Sequence, residues 1–175
     1  MDPIAFCTQY ARRPFRKWSV TPAEWEILHV QAQNRRNILE IGSYLYTSSL
    51  AFIAAMQALP ECILTSIDPV HRDMDLRDDA LQRRWLRIIG YSEDVMPQLR
   101  PHAYDLIFVD GVHNTPAVMG DFQRGLKLLS EGGTIIFHDV NHWKIRKGLL
   151  EMYPEDRYEW HNSTTRSKGL AIWRM

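Results

Sequence analysis

The chain is expected to fold as a single α/β domain, a mostly parallel sheet with helices on both faces, and three observations carry that expectation. Short runs at 37–41, 62–67, 106–109 and 134–137 are apolar on both faces, which suits strands of a covered parallel sheet. Helical patterns alternate with these runs from residue 21 to residue 153, as in strand, helix, strand units. Two aromatic-rich runs near the end, 158–160 and 170–173, are joined by a polar loop at 161–168 and read as a closing antiparallel pair. Right-handed crossovers put the carboxyl ends of the parallel strands on one edge, where such folds bind ligands. A length of 175 residues suits one domain with a sizeable core. It divides into an N-terminal arm, 1–20, and the α/β domain, 21–175.

The arm carries Phe6, Tyr10, Phe15 and Trp18 without a clear period, so it packs on the domain or overhangs its ligand edge. Thr21-Pro22-Ala23-Glu24 is a helix start: Thr caps, Pro fits the first turn, and Glu reaches back to the cap amide. That helix runs to about Gln33. The strand at 37–41 ends at Gly42, where the chain must turn sharply, and Thr47 and Ser48 offer caps for a buried helix at 49–59. The next strand, 62–67, closes on Asp68-Pro69. Leu76, Leu81, Trp85 and Leu86 mark a surface helix over 74–87, followed by a short edge strand at 88–91 and a helix started by Ser92-Glu93-Asp94. A fourth helix is expected at 115–129 and another at 143–153, with Gly132-Gly133 breaking the chain before the strand at 134–137.

Composition narrows the partners. Lys+Arg and Asp+Glu both number 21, so no extended polyanion is called for and a nucleic-acid substrate is disfavoured. The basic groups Arg12, Arg13, Arg16, Lys17 and Arg83, Arg84, Arg87 read as solvated faces. Cys7 and Cys62 are too few for a disulfide framework and suit a reducing compartment. No apolar run reaches the length of a membrane span, and the polar start with Asp2 lacks a signal-peptide pattern. The expectation is a soluble cytoplasmic protein working on a small molecule, without membrane, with a homodimer compatible with its short chain and aromatic content.

Candidate chemistry gathers on the carboxyl edge. Asp110 ends the fourth strand, His113 follows it, and His138-Asp139 end the fifth. Glu40-Ile41-Gly42 and Asp68 end the first two strands, a spacing that suits a nucleoside: the turn at Gly42 offers backbone amides, and one carboxylate can accept two ribose hydroxyls. Only Gly42 stands of the three glycines in the dinucleotide fingerprint, which argues against a nicotinamide enzyme.

The stretches LEIGSYLYTSS, TSIDPV, IIGYSEDV, DLIFVDGVH and LLSEGGTIIFHDV, in this order, resemble the successive motifs of class I S-adenosylmethionine-dependent methyltransferases. The likeness is to the small-molecule O-methyltransferase branch that includes the catechol and macrolide-sugar enzymes, and it covers about residues 37–140. It implies a Rossmann-like methyltransferase domain with a seven-stranded sheet, and O-methylation of a sugar or a phenol. It also implies S-adenosyl-L-methionine held by Glu40, Gly42 and Ser43 on the methionine side, Asp68 at the ribose, Ser92 and Glu93 near the adenine, and Asp110 at the sulfonium. In metal-dependent relatives, acids ending strands four and five hold a divalent cation, Mg²⁺ or Mn²⁺. Asp110 and Asp139 match these, and His138 stands where some relatives have a second acid. His113 matches a histidine taken as the base.

Other readings stand beside these. His113 or Asp139 could cap the helix that follows, His138 could be a satisfied core histidine, and Trp143 could pack in the core or line a substrate pocket with His142. Asp121 reads as a surface or structural acid. Tyr46 replaces a glycine of the family pattern, where a side chain could fill the cofactor slot. That replacement keeps an alternative open: a noncatalytic binding module with a degenerate cofactor site. The sequence VDGVH after strand four lacks the Asn/Asp-Pro-Pro-aromatic signature of nucleic-acid amino-methylating enzymes.

Overall fold

Apolar runs of this kind assemble into a seven-stranded sheet in the computed structural model, which describes residues 1–10, 15, 19–70, 72–162 and 168–175. Its strands are β1 (Asn37–Ile41), β2 (Ile63–Asp68), β3 (Trp85–Ile89), β4 (Tyr104–Val109), β5 (Leu129–His138), β6 (Tyr158–His161) and β7 (Leu170–Arg174), in the order β3-β2-β1-β4-β5-β7-β6. Strands β1 to β5 are parallel, and β7 runs antiparallel between β5 and β6. The strand order reverses between β1 and β4, which opens a crevice above their carboxyl ends.

Two apolar cores flank the sheet. On one face lie α1 (Pro3–Thr8), α2 (Pro22–Ala32) and α3 (Thr47–Met56), burying Phe6, Trp25, Leu28 and Phe52 among others. On the other, α6 (Thr115–Leu128) and α7 (Trp143–Met152) bury Phe122, Phe137 and Leu149. The capping box of α2 forms: the Glu24 amide donates to Thr21 Oγ1, and Glu24 accepts from the Thr21 amide at 2.7 Å. In the arm, α1 is capped by Asp2 and packs Phe6 against Trp25, with ring centroids 5.9 Å apart. The basic cluster Arg12, Arg13, Arg16, Lys17, together with Trp18 and residues 163–167, lies outside the described residues.

The expected helix at 74–87 is corrected. Only α4 (Asp79–Arg84) forms, capped by Asp78, and the chain is extended from Trp85 onward. Trp85 is a strand residue because its indole is useful inside: it donates to Ser66 Oγ at 2.9 Å and meets the Tyr46 ring edge-on at 5.0 Å. Arg84 is no solvated cation. Its guanidinium donates to the carbonyls of Met56, Leu59 and Cys62 at 3.0–3.2 Å and closes the end of α3. After β3, α5 (Ser92–Val95) passes into a 3₁₀ turn containing Pro97.

The start of α3 is corrected as well. Thr47 and Ser48 do not cap it; Tyr46 is the cap residue, in the left-handed region at φ 63°, and gives no side-chain cap bond. Strand β5 begins earlier than Gly132-Gly133 because the chain rejoins β4 at Leu129 before a register shift. Among the described residues, no helix is long and apolar enough to cross a membrane.

Candidate functional site

Four strand ends and two helices enclose a cavity of about 550 Å³ at the carboxyl edge of the sheet. Its floor is the turn after β1. Gly42 adopts φ +82°, and a Cβ there would stand 2.1 Å from the Asp110 carbonyl oxygen, so β1 and β4 can approach only with glycine at this position. Asp68, Ser92, Glu93, Asp110 and His113 also line the cavity.

Tyr46 leaves it open. The side chain turns into the core, 4% exposed, where its hydroxyl donates to the Arg72 carbonyl at 2.7 Å and accepts from the Arg72 amide. The backbone of Tyr46 stands in the left-handed region at φ 63°, and the conformational cost is offset by burying the ring against Trp85.

Glu40 is not on the cavity wall. It is fully buried behind it and accepts from the hydroxyls of Ser48, Ser49 and Ser66, each at 2.6 Å. Burial pushes its pKa up to about 7 against the three hydrogen bonds, with the Asp110 charge adding to the rise. Thr47 and Ser48 thus read as caps from the sequence, whereas Ser48 is a partner of a buried acid. Ser43 also lies off the main cavity, and its amide donates to Asp68.

Asp68 is heavily used by the protein itself. One carboxylate oxygen accepts from the amides of Ser43 and Tyr44 at 3.0 and 2.9 Å, and the other from Val70 at 2.8 Å. Three of the roughly four lone-pair directions on the carboxylate are thus taken by backbone amides, and Arg72 Nη1 stands 3.7 Å from Oδ1.

The acids ending β4 and β5 sit in a chain of ionisable groups. His138 is buried; its Nδ1 faces Asp110 at 3.0 Å and its Nε2 faces Glu24 at 3.4 Å. An imidazole that donates from both nitrogens is a cation. Burial pulls the His138 pKa down, but the Asp110 charge and the bonds to Asp110 and Glu24 outweigh it and hold the ring protonated. Glu24, also accepting from the Thr21 and Gly169 amides, stays ionised well below the usual range despite its burial. Both ring nitrogens of His138, read from the sequence as a metal ligand or a satisfied core histidine, are thus taken up by acids.

His113 stands beside the acids ending β4 and β5. Its side chain is 45% exposed, and its Nε2 lies 3.4 Å from Asp110 and 3.3 Å from Asp139. One ligand atom from each of Asp110, His113 and Asp139 falls within 4.8 Å of the others. Two carboxylates with one imidazole form a donor set that fits a divalent cation such as Mn²⁺ better than Mg²⁺, which favours oxygen alone. Asp110 is lowered, the neighbouring His138 and His113 overriding its burial, whereas burial leaves Asp139 raised. The hydrogen bond to Asp110 raises His113, with burial opposing. Asp139 holds φ 54°, a backbone strain of the kind found at functional sites.

Sequence reasoning missed the surroundings of two residues and the exposure of a third. Asp121 is not a surface acid: it is 2% exposed, lines the cavity, and accepts from Ser92 Oγ at 2.6 Å and Arg124 Nη2 at 2.8 Å. The signal was available, since Ala117, Asp121 and Arg124 recur at helical spacing on one face of α6. Glu24 was read only as a cap. Trp143 is not a core residue; it stands 65% exposed at the start of α7.

Comparison with known proteins agrees with this geometry. A family described as methyltransferase domain matches residues 39–140. A presumptive O-methyltransferase of Mycobacterium sp. (strain JLS) is 30% identical over 129 residues, 69% of this chain and 56% of the relative. The chain thus spans a little over half the length of such curated relatives. Among solved structures, the O-methyltransferase TomG from Streptomyces achromogenes, in complex with SAM, superposes with a TM-score of 0.73 at 18% identity, over 98% of this chain and 87% of that one. An O-methyltransferase from Bacillus cereus in complex with SAH gives 0.68 at 18% identity, over 99% and 90%. The solved structures share the fold, and the family match extends from β1 to the end of β5, across every strand end that lines the cavity. On that match the chain belongs to the methyltransferase domain family.

Proposed function

We propose that the chain is an S-adenosylmethionine-dependent methyltransferase acting on an oxygen of a small hydroxylated molecule, a sugar or a phenol. The observation that carries this reading is the open cavity between the Gly42 turn, Asp68, Ser92 and Asp110, kept clear by the inward Tyr46. The complexes of TomG with SAM and of the Bacillus cereus enzyme with SAH support it by analogy of fold. A cytoplasmic, reducing setting goes with it, which the two buried free thiols Cys7 and Cys62 suit.

Bound in the cavity, the sulfonium supplies an electrophilic methyl group. The chain must then position an acceptor hydroxyl and take its proton. Both acids face Nε2 of His113, so in the neutral ring that nitrogen keeps the proton and Nδ1 is the basic atom. A divalent cation, held by Asp110, His113 and Asp139, would instead lower the pKa of the acceptor hydroxyl. The two routes use different nitrogens of His113, and chelator separates them. Turnover unchanged by chelator, together with full activity of Asp139→Ala, removes the cation.

Calorimetric titration with S-adenosylhomocysteine is the primary test. Saturable binding followed by methyl transfer to members of a phenol and sugar panel supports the proposal, and no heat at millimolar ligand ends it. A second reading, a binding module that transfers no methyl group, draws on the amide-filled Asp68 carboxylate. It predicts homocysteine-nucleoside binding with no turnover on any acceptor.

A further inference from the structure

Both acids beside His113 are braced by a residue that stands outside the cavity lining. Glu24, in the first turn of α2, is buried at 4% exposure. Its part in the capping box needs one carboxylate oxygen only: Oε2 accepts from the Thr21 amide and hydroxyl at 2.7 and 2.9 Å. A glutamate that served only as a cap would gain nothing from burial, because burying a carboxylate is costly unless it is fully bonded. Here Oε1 accepts from the Gly169 amide at 2.7 Å, and Oε2 also faces His138 Nε2 at 3.4 Å.

Each of these two further contacts leads to one of the acids. The His138 ring, held at Nε2 by Glu24, presents Nδ1 to Asp110 at 3.0 Å. Residues 168 and 169 in turn bond the chain just after Asp139: the Gly169 carbonyl accepts from the Val140 amide at 3.4 Å, and the Lys168 carbonyl from the Asn141 amide at 3.2 Å. Lys168, itself buried, ties this stretch to the arm by donating from Nζ to the Ser19 carbonyl. One carboxylate thus joins α2, the end of β5 and the entry to β7, with a side-chain route to Asp110 and a backbone route to Asp139.

We propose that Glu24 is a positioning residue for methyl transfer: by holding His138 and Gly169 at once, it fixes Asp110 and Asp139 relative to each other about His113. This deepens the methyltransferase reading and rests on it. Lying outside the cavity, Glu24 governs the rate without a share in cofactor binding. A misplacement of about 1 Å at reacting groups costs on the order of a hundredfold in rate. The Thr21 and Gly169 amides bond different oxygens of Glu24, so glutamine, with one oxygen, can satisfy only one of them.

The test uses the full chain and an acceptor from the phenol and sugar panel. Glu24→Gln should lower kcat by about tenfold to a hundredfold, with acceptor KM and calorimetric affinity for S-adenosylhomocysteine within about twofold of wild type. Glu24→Asp keeps the charge but is too short to reach His138 and Gly169 together; it should do the same, and it keeps the test alive if the first variant unfolds. Thr21→Val is the control for a purely structural role: it removes the cap hydroxyl alone, and should lower Tm with kcat unchanged. Wild-type kcat in a folded Glu24 variant, an equal loss of kcat in Thr21→Val, or an equal loss of S-adenosylhomocysteine affinity would overturn the proposal while methyl transfer stands. Absence of turnover by the wild type on every acceptor overturns it together with the reading it rests on.

Discussion

Replacing Glu40 by Gln tests the electrostatics beneath the cavity most directly. Glu40 lies on β1 with no exposed surface, and its carboxyl titrates at about 7 in the fold against 4.5 when unperturbed. A raised acid pKa means that the folded protein holds the proton more tightly than the unfolded chain. The associated stabilisation is fully present below pH 4.5 and is lost as pH rises through 7. At about 1.4 kcal/mol per unit, the difference amounts to roughly 3 kcal/mol, most of it lost between pH 5 and pH 9. Glutamine keeps an oxygen for two of the serine hydroxyls and an amide that can donate to the third, so its stability should not follow this term. The assay is urea unfolding of both proteins at pH 5, 7 and 9. Other groups titrate in this window, so the informative quantity is the difference between the two proteins at each pH. The variant should gain about 2–3 kcal/mol relative to wild type from pH 5 to pH 9, or several degrees in Tm for a domain of this size. Parallel curves, with a difference constant to within about 0.5 kcal/mol, would show that Glu40 ionises normally and that the three serines outweigh its burial.

Gly42→Ala should cost about 3 kcal/mol or more by the same unfolding assay, since the methyl group meets the Asp110 carbonyl at 2.1 Å and the backbone is at φ +82°; near-wild-type stability would mean that β1 and β4 separate easily. Tyr46→Gly should lower stability by about 2–4 kcal/mol, loss of the buried ring exceeding relief of the left-handed backbone. It should not tighten S-adenosylhomocysteine binding, and a gain in affinity would place the ring in the slot after all. His113→Asn should reduce kcat by about a hundredfold or more with little change in cofactor affinity. In the wild type the base must be neutral, so kcat/KM should fall as pH drops through a pKa above the ordinary 6.5. A pH-independent rate from 5 to 9, measured without added metal, would remove His113 as the base.

The fold was legible wherever a local pattern and the tertiary demand agreed. The Thr21 to Glu24 box, the strand at 37–41 and the helix at 115 each follow from a few adjacent residues whose preferences the sheet only reinforces. Trp85 shows the opposite case. Its spacing with Leu81 is helical, but an indole N–H that finds Ser66 and a ring that finds Tyr46 are worth more than one further turn of helix, and both partners are remote in sequence. The candidate site divides in the same way. Asp110, His113 and Asp139 could be read because strand ends are local features. That His138 is held between two acids could not, because one of them, Glu24, lies 114 residues away. A capping glutamate and a core histidine each looked complete alone, and only their meeting makes a cation beside Asp110.

That meeting also separates the two acids. His138 Nδ1 stands 3.0 Å from Asp110 but 3.7 Å from Asp139, and the buried cation therefore favours ionisation of Asp110 more strongly. The outcome is a lowered Asp110 and a raised Asp139 facing the same ring nitrogen of His113. Paired carboxylates whose environments drive their pKa values apart acquire different roles. On the proposed reading, Asp110 is the standing anion, keeping His113 basic and facing the sulfonium, and Asp139 is the group that can receive a proton as the imidazolium discharges. Exchanging the two environments would take a change at position 138, not at either acid. His138→Gln, which removes the cation and keeps hydrogen-bonding capacity, should bring the two acids to a shared, higher titration and lower kcat more than it raises KM. An unchanged kcat in that variant would show that the asymmetry between the acids plays no part in the reaction.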